Sequence, residues 1–353
     1  IKSLPRLNAV RILVVLFIAL GYASTMPIGQ GNPEIFAHLG YDPSWIGIQV
    51  LFFFSGFLAL RSIRRHGSAV KYLRSRILRN APLLAVFTLI AVLIIYPAFG
   101  VMTEPPLQLA AKLGTYFFLT VTCIDPGQAL PGLLDDAKYM CLIQGAIWTF
   151  KWGMIAHICA AIAARLGIFR SNAIVLGLAI LSVTGHFCVS YVQAKIGYGW
   201  LETPALGLRL GYPFLAGLAC FAYQDKLPST AKIRAYILFG LSGTALFWST
   251  VLAWTPAIEI LLTVFWGYAA FLLATSKTDK LRVLEGWPNL ALAIYLVNWP
   301  ASQLLLLAYP GISPWGLVAL SLPVSMLVAL AAHILVSRPS YSFARIQMLK
   351  PAF

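Results

Sequence analysis

Ten stretches of this chain each carry close to the run of about twenty apolar residues that a helix needs to cross hydrocarbon. They fall near 9–25, 44–61, 81–99, 146–164, 172–193, 204–223, 233–253, 256–275, 288–309 and 315–336. Inside lipid every backbone amide must find its partner within the protein, so only helices and closed barrels can span. The runs are continuously apolar rather than alternating, which excludes the barrel pattern. The expected fold is therefore all-α, a polytopic integral membrane bundle of about ten transmembrane helices. Composition agrees: 60% of the 353 residues are hydrophobic and 10% charged, where soluble domains carry about 25% charge. A water-soluble enzyme and a disordered chain are excluded on that count. Ten spans also leave no separate soluble domain of about 100 residues, so residues 1–353 read as a single transmembrane domain. The first run has no small-residue cleavage site behind it and is expected to stay in the mature protein. Between the third and fourth runs, 100–145 is the longest remaining segment, and its Leu113–Val121 stretch reads as a short re-entrant or interfacial helix.

The chain carries a net charge of +15, from 26 Lys and Arg against 11 Asp and Glu. With both termini placed in the cytoplasm, 21 of the basic residues fall on internal segments and 3 (Lys112, Lys138 and Lys195) on external ones. Lys151 and Arg209 fall inside spans. This bias follows the positive-inside rule and predicts a multi-pass protein of the inner or plasma membrane. The excess charge then records topology and attraction to anionic lipid headgroups, not nucleic acid. The densest basic segment is Arg61–Arg79, on the internal side. Arg76 and Arg79 are three apart, one helical turn, and two guanidiniums on one face suit a ligand with several phosphate charges, such as coenzyme A. A topogenic grip on lipid headgroups is the competing reading.

Five cysteines are too few for a disulfide framework. Cys123 and Cys141 share an external segment and leave a disulfide open, whereas Cys159, Cys188 and Cys220 lie within spans and read as small packing residues. Lys151, Arg209 and Glu259 are intramembrane charges, which are functional candidates by default because an unpaired charge in hydrocarbon is costly. Arg209 with Glu259 reads equally as a structural pair or as a substrate site. His157, His186 and His333 lie within spans, and their spacing fits no zinc motif, so no metal is expected. Arg11 opens the first span, and Tyr22 lies about 16 Å deeper at 1.5 Å per residue.

Several segments, in order, resemble the acyltransferase 3 family of integral membrane acyltransferases. Leu7-Asn8-Ala9-Val10-Arg11 is similar to the family's Leu-Asp-Gly-Leu-Arg start. Gly47 to Leu58, with Phe52-Phe53-Phe54-Ser55-Gly56-Phe57, is similar to its second-span motif. Tyr72-Leu73-Arg74-Ser75-Arg76-Ile77-Leu78-Arg79-Asn80-Ala81-Pro82 resembles its arginine-rich segment. Leu130-Pro131-Gly132, Gln144-Gly145-Ala146-Ile147-Trp148-Thr149-Phe150, Ile294-Tyr295-Leu296-Val297-Asn298-Trp299-Pro300 and Ser337-Arg338-Pro339 follow in the family's order. The resemblance implies an enzyme that takes an acyl group from cytoplasmic acetyl-CoA or another acyl-CoA. The acceptor would be a glycan or glycolipid on the outer side. It assigns coenzyme binding to Arg74, Arg76 and Arg79, and acyl transfer to the positions of Arg11, Tyr22 and Asn298. Trp148, Lys151 and Arg209 are the candidates for contact with the acceptor substrate.

The chain departs from the family pattern where protons would move. The family's first-span histidine is Tyr22 here, its late histidine is Asn298, and the glutamate after the Trp-Thr motif is Gly153. Its second-span acid is Gln49, its opening aspartate is Asn8, and the acid before Arg338 is Ser337. Acyl transfer from a thioester needs a base with a pKa near the working pH, and tyrosine, ordinarily near 10, is a poor one. His157, four residues beyond Gly153 on the same helical face, is the one candidate for a replacement base. Three readings follow: an acyltransferase with an altered site; a degenerate relative that binds acyl-CoA, lipid or glycan, or partners an active paralogue; and a glycolipid transporter or flippase.

Overall fold

The computed structural model describes residues 4–29, 42–101, 104–135, 137, 139–197, 199–227, 241–242, 256–276 and 279–339. Among these, nine helices are long and apolar enough to cross a membrane, and no strand occurs. The chain is a multi-pass helical membrane protein. Nine of the ten expected spans coincide with these helices; the other, 233–253, lies outside the described residues except for 241–242.

Helix boundaries follow local chemistry. α1 is Leu7–Thr25, whose last turn is closed by the Thr25 hydroxyl donating to Gly21 O at 3.0 Å. α2 is Pro43–His66. Asp42 caps it by accepting from Ser44 N at 2.9 Å, Pro43 opens it without wasting a donor, and Gly67 ends it at φ 63; each device is of the type expected at that position. α3 (Ala69–Ile90) continues through a π-turn, Ala91–Ile95, into α4 (Tyr96–Phe99), giving one long span. Pro97 has no N–H for the preceding turn, which favours a break in the regular ladder there. α5, Pro106–Val121, is longer than the Leu113–Val121 piece expected from hydropathy. It stops at Cys123, which takes a left-handed φ of 57 in place of the usual glycine.

A 3₁₀ turn at Gly145–Ile147 leads into α6, Trp148–Arg165. α7 (Asn172–Ile196) is capped by Ser171 and ended by Gly197 at φ 69. α8 is Glu202–Ala222, α9 is Pro256–Thr275 and α10 is Ala291–Ala308. α11, Pro314–Ala332, is capped by Ser313 and runs into a second π-turn at His333–Ser337.

The chain divides into two compact units. Unit 1 comprises Ile1–Val14, Phe36–Tyr72 and Ile155–Trp287. In it α8 packs along α2 and α7, with α9 against all three. Gly56 and Gly217 make the α2–α8 approach possible, because a Cβ on either would collide with a backbone carbonyl, of Phe214 or Phe53 respectively. Small residues at such crossings give membrane helices close dispersion contact where lipid supplies no hydrophobic drive. Phe57 fills the seam beside them, with Phe221 and Phe271 ring centres each 5.2 Å away. Arg6 is 1% exposed and pairs with Glu285 at 2.9 Å, and Asn8 donates to Trp287 O at 2.8 Å.

Unit 2 comprises Val15–Ile35, Leu73–Met154 and Pro288–Phe353. α10 and α11 pack together, and α10 holds the preceding loop through side chains that cap its carbonyls. Trp299 donates to Leu142 O at 2.7 Å, while Gln303 donates to Tyr139 O at 2.9 Å and Met140 O at 3.0 Å. Ala91, Ile95, Tyr96, Tyr116, Leu130 and Leu133 form this unit's apolar core. Leu93, Leu327 and Leu335 are exposed on span surfaces, as a lipid-facing surface requires.

Candidate functional site around His157

α6 carries His157, 7% exposed, into contact with Ser55 and Tyr72, all three residues of unit 1. Its Nε2 lies 3.1 Å from Ser55 Oγ on α2, and its Nδ1 lies 2.6 Å from the Tyr72 hydroxyl at the start of α3. Tyr72 and Phe214 pack edge-on against the imidazole, with centroids 5.8 and 5.5 Å away. Both ring nitrogens are thereby engaged and the ring plane is held. With hydrogen on Nδ1, the imidazole donates to Tyr72 and accepts from Ser55, the arrangement in which a hydroxyl, a base and an orienting group stand in line. Sequence reading singled out His157 but not its partners. Ser55 and Tyr72 sat within quoted motifs, 102 and 85 residues away, and nothing in linear spacing joins them.

A second buried polar cluster lies in the same unit. Glu259, on α9, is fully buried and accepts from Arg209 Nε at 2.7 Å and from Gln49 Nε2 through one carboxylate oxygen. Thr263 donates to Gln49 Oε1, and Tyr212 donates to Thr263 at 2.8 Å. The Arg209 guanidinium lies over the Trp45 ring, 3.8 Å from its centroid. His186 stacks on Tyr212 with centroids 5.0 Å apart, and its Nε2 is 3.9 Å from the other Glu259 oxygen. The Arg209–Glu259 pair read from sequence is thus present, as part of a network that also satisfies Gln49. Outside the span, burial raises the Asp42 carboxyl above its ordinary range against the opposing pull of Ser44 and Arg209.

The other expected site residues are distributed as follows. Arg11 is half-buried on α1 in unit 1. Tyr22, buried in unit 2, meets Trp299 edge-on at 4.9 Å, and its hydroxyl interacts with that of Tyr295. Asn298 donates to Ser325 at 3.3 Å, and its carbonyl oxygen is buried with no hydrogen-bond partner among the described residues. Arg76 is buried, whereas Arg74 and Arg79 on the same helix are exposed, so the two arginines expected to share one face differ in exposure. Trp148, at the start of α6, packs beside Gly127. Lys151 reaches Asp125 at 3.7 Å with both side chains well exposed. Trp148 and Lys151 belong to unit 2 and Arg209 to unit 1.

Gly153 has open space where a Cβ would stand. Cys123 and Cys141 are free thiols, so the disulfide left open by sequence is not formed. Cys159 and Cys188 are exposed on span surfaces and not packed inside, as expected of them, because their helix faces turn outward at those positions. No group of three or more potential metal ligands occurs among the described residues. No family model matches the chain, and neither does any curated protein or solved structure.

Proposed function

We propose that this chain is an integral membrane acyltransferase that moves an acyl group from acyl-CoA to a hydroxyl of a cell-surface glycan or glycolipid, with His157 as its base. The reading rests on the ordered motif resemblance together with one observation. His157 is a buried imidazole whose Nε2 faces a hydroxyl while Nδ1 is held by Tyr72. That is the role missing when Tyr22, Gly153 and Asn298 replace the ionisable residues of the family pattern. In this reading Arg74, Arg76 and Arg79 meet the coenzyme's phosphates at the cytoplasmic face. Both termini are cytoplasmic, and the membrane is the inner or plasma membrane.

Release of coenzyme A thiol from acetyl-CoA by the purified, detergent-solubilised chain tests this. Turnover is expected in the wild type and lost in His157→Ala.

A second reading is favoured by a separate observation. Tyr22 and Asn298 are built into packing and hydrogen bonding with Trp299 and Ser325, as scaffold positions would be. In that reading the chain binds acyl-CoA, lipid or glycan, or partners an active paralogue, without catalysing transfer. Binding without turnover, together with turnover only in the Tyr22→His, Gly153→Glu, Asn298→His triple mutant, would favour it.

A further inference from the structure

Both nitrogens of His157 are engaged within the protein: Nδ1 by Tyr72 at 2.6 Å and Nε2 by Ser55 at 3.1 Å. A base can only take a proton that reaches its lone pair, and with hydrogen on Nδ1 the hydroxyl placed at that lone pair, on Nε2, belongs to Ser55. An incoming acceptor hydroxyl would have to displace Ser55 to reach it. Ser55 is partly exposed on α2, unlike fully buried Tyr72 on the other side of the ring. The orientation of the three groups is fixed by the packing beneath them. Gly56, next to Ser55, holds α2 against the α8 backbone at Phe214, and the Phe214 ring lies edge-on to the imidazole. α2 therefore has little freedom to withdraw Ser55 from His157.

We infer that Ser55 is the nucleophile of a two-step transfer, carrying the acyl group as an oxyester between the coenzyme and the final acceptor. This rests on the acyltransferase reading above. In the first step Ser55 Oγ attacks the thioester carbonyl and its proton passes to His157 Nε2. The Oγ–C bond forms, the C–S bond breaks, and the coenzyme leaves as the thiol with the proton returned by His157. In the second step a hydroxyl of the acceptor gives its proton to the freed Nε2 and its oxygen bonds to the acyl carbon. The Oγ–C bond breaks and the proton goes back to Ser55. Tyr72 is a positioning residue, keeping hydrogen on Nδ1 so that Nε2 stays basic. The substrate class that follows is an acyl thioester as donor and an alcohol as acceptor, each occupying the site in turn.

The test uses the full chain in detergent with acetyl-CoA labelled in the acetyl group, quenched rapidly and mapped by peptide. The wild type should carry label on the peptide containing Ser55, stable to neutral hydroxylamine and released at alkaline pH, as an oxyester is. Ser55→Ala should lose the label and about 100-fold or more of coenzyme release. Ser55→Cys, which keeps the shape of the site, should carry a thioester that neutral hydroxylamine cleaves. Label or full turnover persisting in Ser55→Ala overturns the inference and leaves acyl transfer standing. So does wild-type turnover without any trapped label. A wild type that neither releases coenzyme nor takes up label removes the acyltransferase reading itself.

Discussion

Unit 1 holds two buried clusters, each built round a histidine, and they treat charge in opposite ways. At Glu259 a carboxylate with no solvent exposure is compensated by Arg209 and by the Gln49 amide, and His186 is stacked flat on Tyr212. The carboxylate is compensated through one oxygen by Arg209 and Gln49, which is how an ionic site survives in hydrocarbon. At His157 the three members are an imidazole, a phenol and an alcohol. With hydrogen on Nδ1, the lone pair of Nε2 faces the Ser55 hydroxyl. An ion pair joins helices by charge compensation, whereas the His157 cluster joins them through an imidazole and two hydroxyls.

Exchanging the two histidine environments by mutation is the strongest way to break this contrast. His157→Ala should lower acyl-CoA turnover by about 10²–10⁴-fold, and the melting temperature in detergent should fall as well, because buried Tyr72 and Phe214 lose a packing partner. His186→Ala should leave turnover within a few-fold of wild type. Equal loss in both variants would remove the distinction between a catalytic and a structural cluster.

Arg209→Ala leaves the Glu259 carboxylate buried and largely uncompensated and should cost about 3–5 kcal/mol, read as a lowered unfolding midpoint in detergent. The double variant Arg209→Met, Glu259→Leu should recover part of that loss, because an apolar pair needs no desolvation while the buried Gln49 amide loses its acceptor. Gly56→Ala sharpens the same comparison from the packing side. Its methyl meets the Phe214 carbonyl, so α2 must shift, at about 1–3 kcal/mol, and both stability and turnover should fall together.

A smaller effect is expected at the basic segment. Arg76→Ala with Arg79→Ala should weaken acyl-CoA binding about 10-fold and flatten its salt dependence, with kcat for bound donor nearly unchanged. Titration calorimetry at two ionic strengths checks this.

The smallest lies outside the spans. Burial pushes the Cys123 thiol up from 9.0 to about 11. The folded chain then keeps this proton at a pH where the unfolded chain has lost it, so the contribution of Cys123 to stability is intact below pH 9 and declines between 9 and 11. Alkylation of native Cys123 should keep accelerating past pH 9, where an ordinary thiol has begun to level off.

The scaffold was legible in the linear chain for a plain reason. A span is a local property: about twenty apolar residues satisfy the bilayer whatever they pack against, and nine of the ten runs read from sequence are helices here. Caps such as Asp42-Pro43 and Gly67 announce their helix ends in the same local way. α5 was underestimated because Pro106–Lys112 contains polar residues that a hydropathy window discards, although a helix tolerates them on an exposed side.

The candidate site was legible only in part. His157 was marked by residue type, and the Arg209–Glu259 pair by the cost of two charges in lipid. Ser55 and Tyr72 are ordinary residues by composition, and only the tertiary structure decided that they flank one imidazole, because the meeting of α2, α3 and α6 depends on which helix faces interlock and not on any spacing within one of them. The burial of Arg76 beside exposed Arg79, and the outward turn of Cys159 and Cys188, were decided in the same way. Sequence by itself determined that this chain must satisfy its backbone as membrane-spanning helices, since that requirement acts on every residue locally. Which hydroxyl meets which base was settled by contacts between distant helices, where a single helix's periodicity carries no information about its partner.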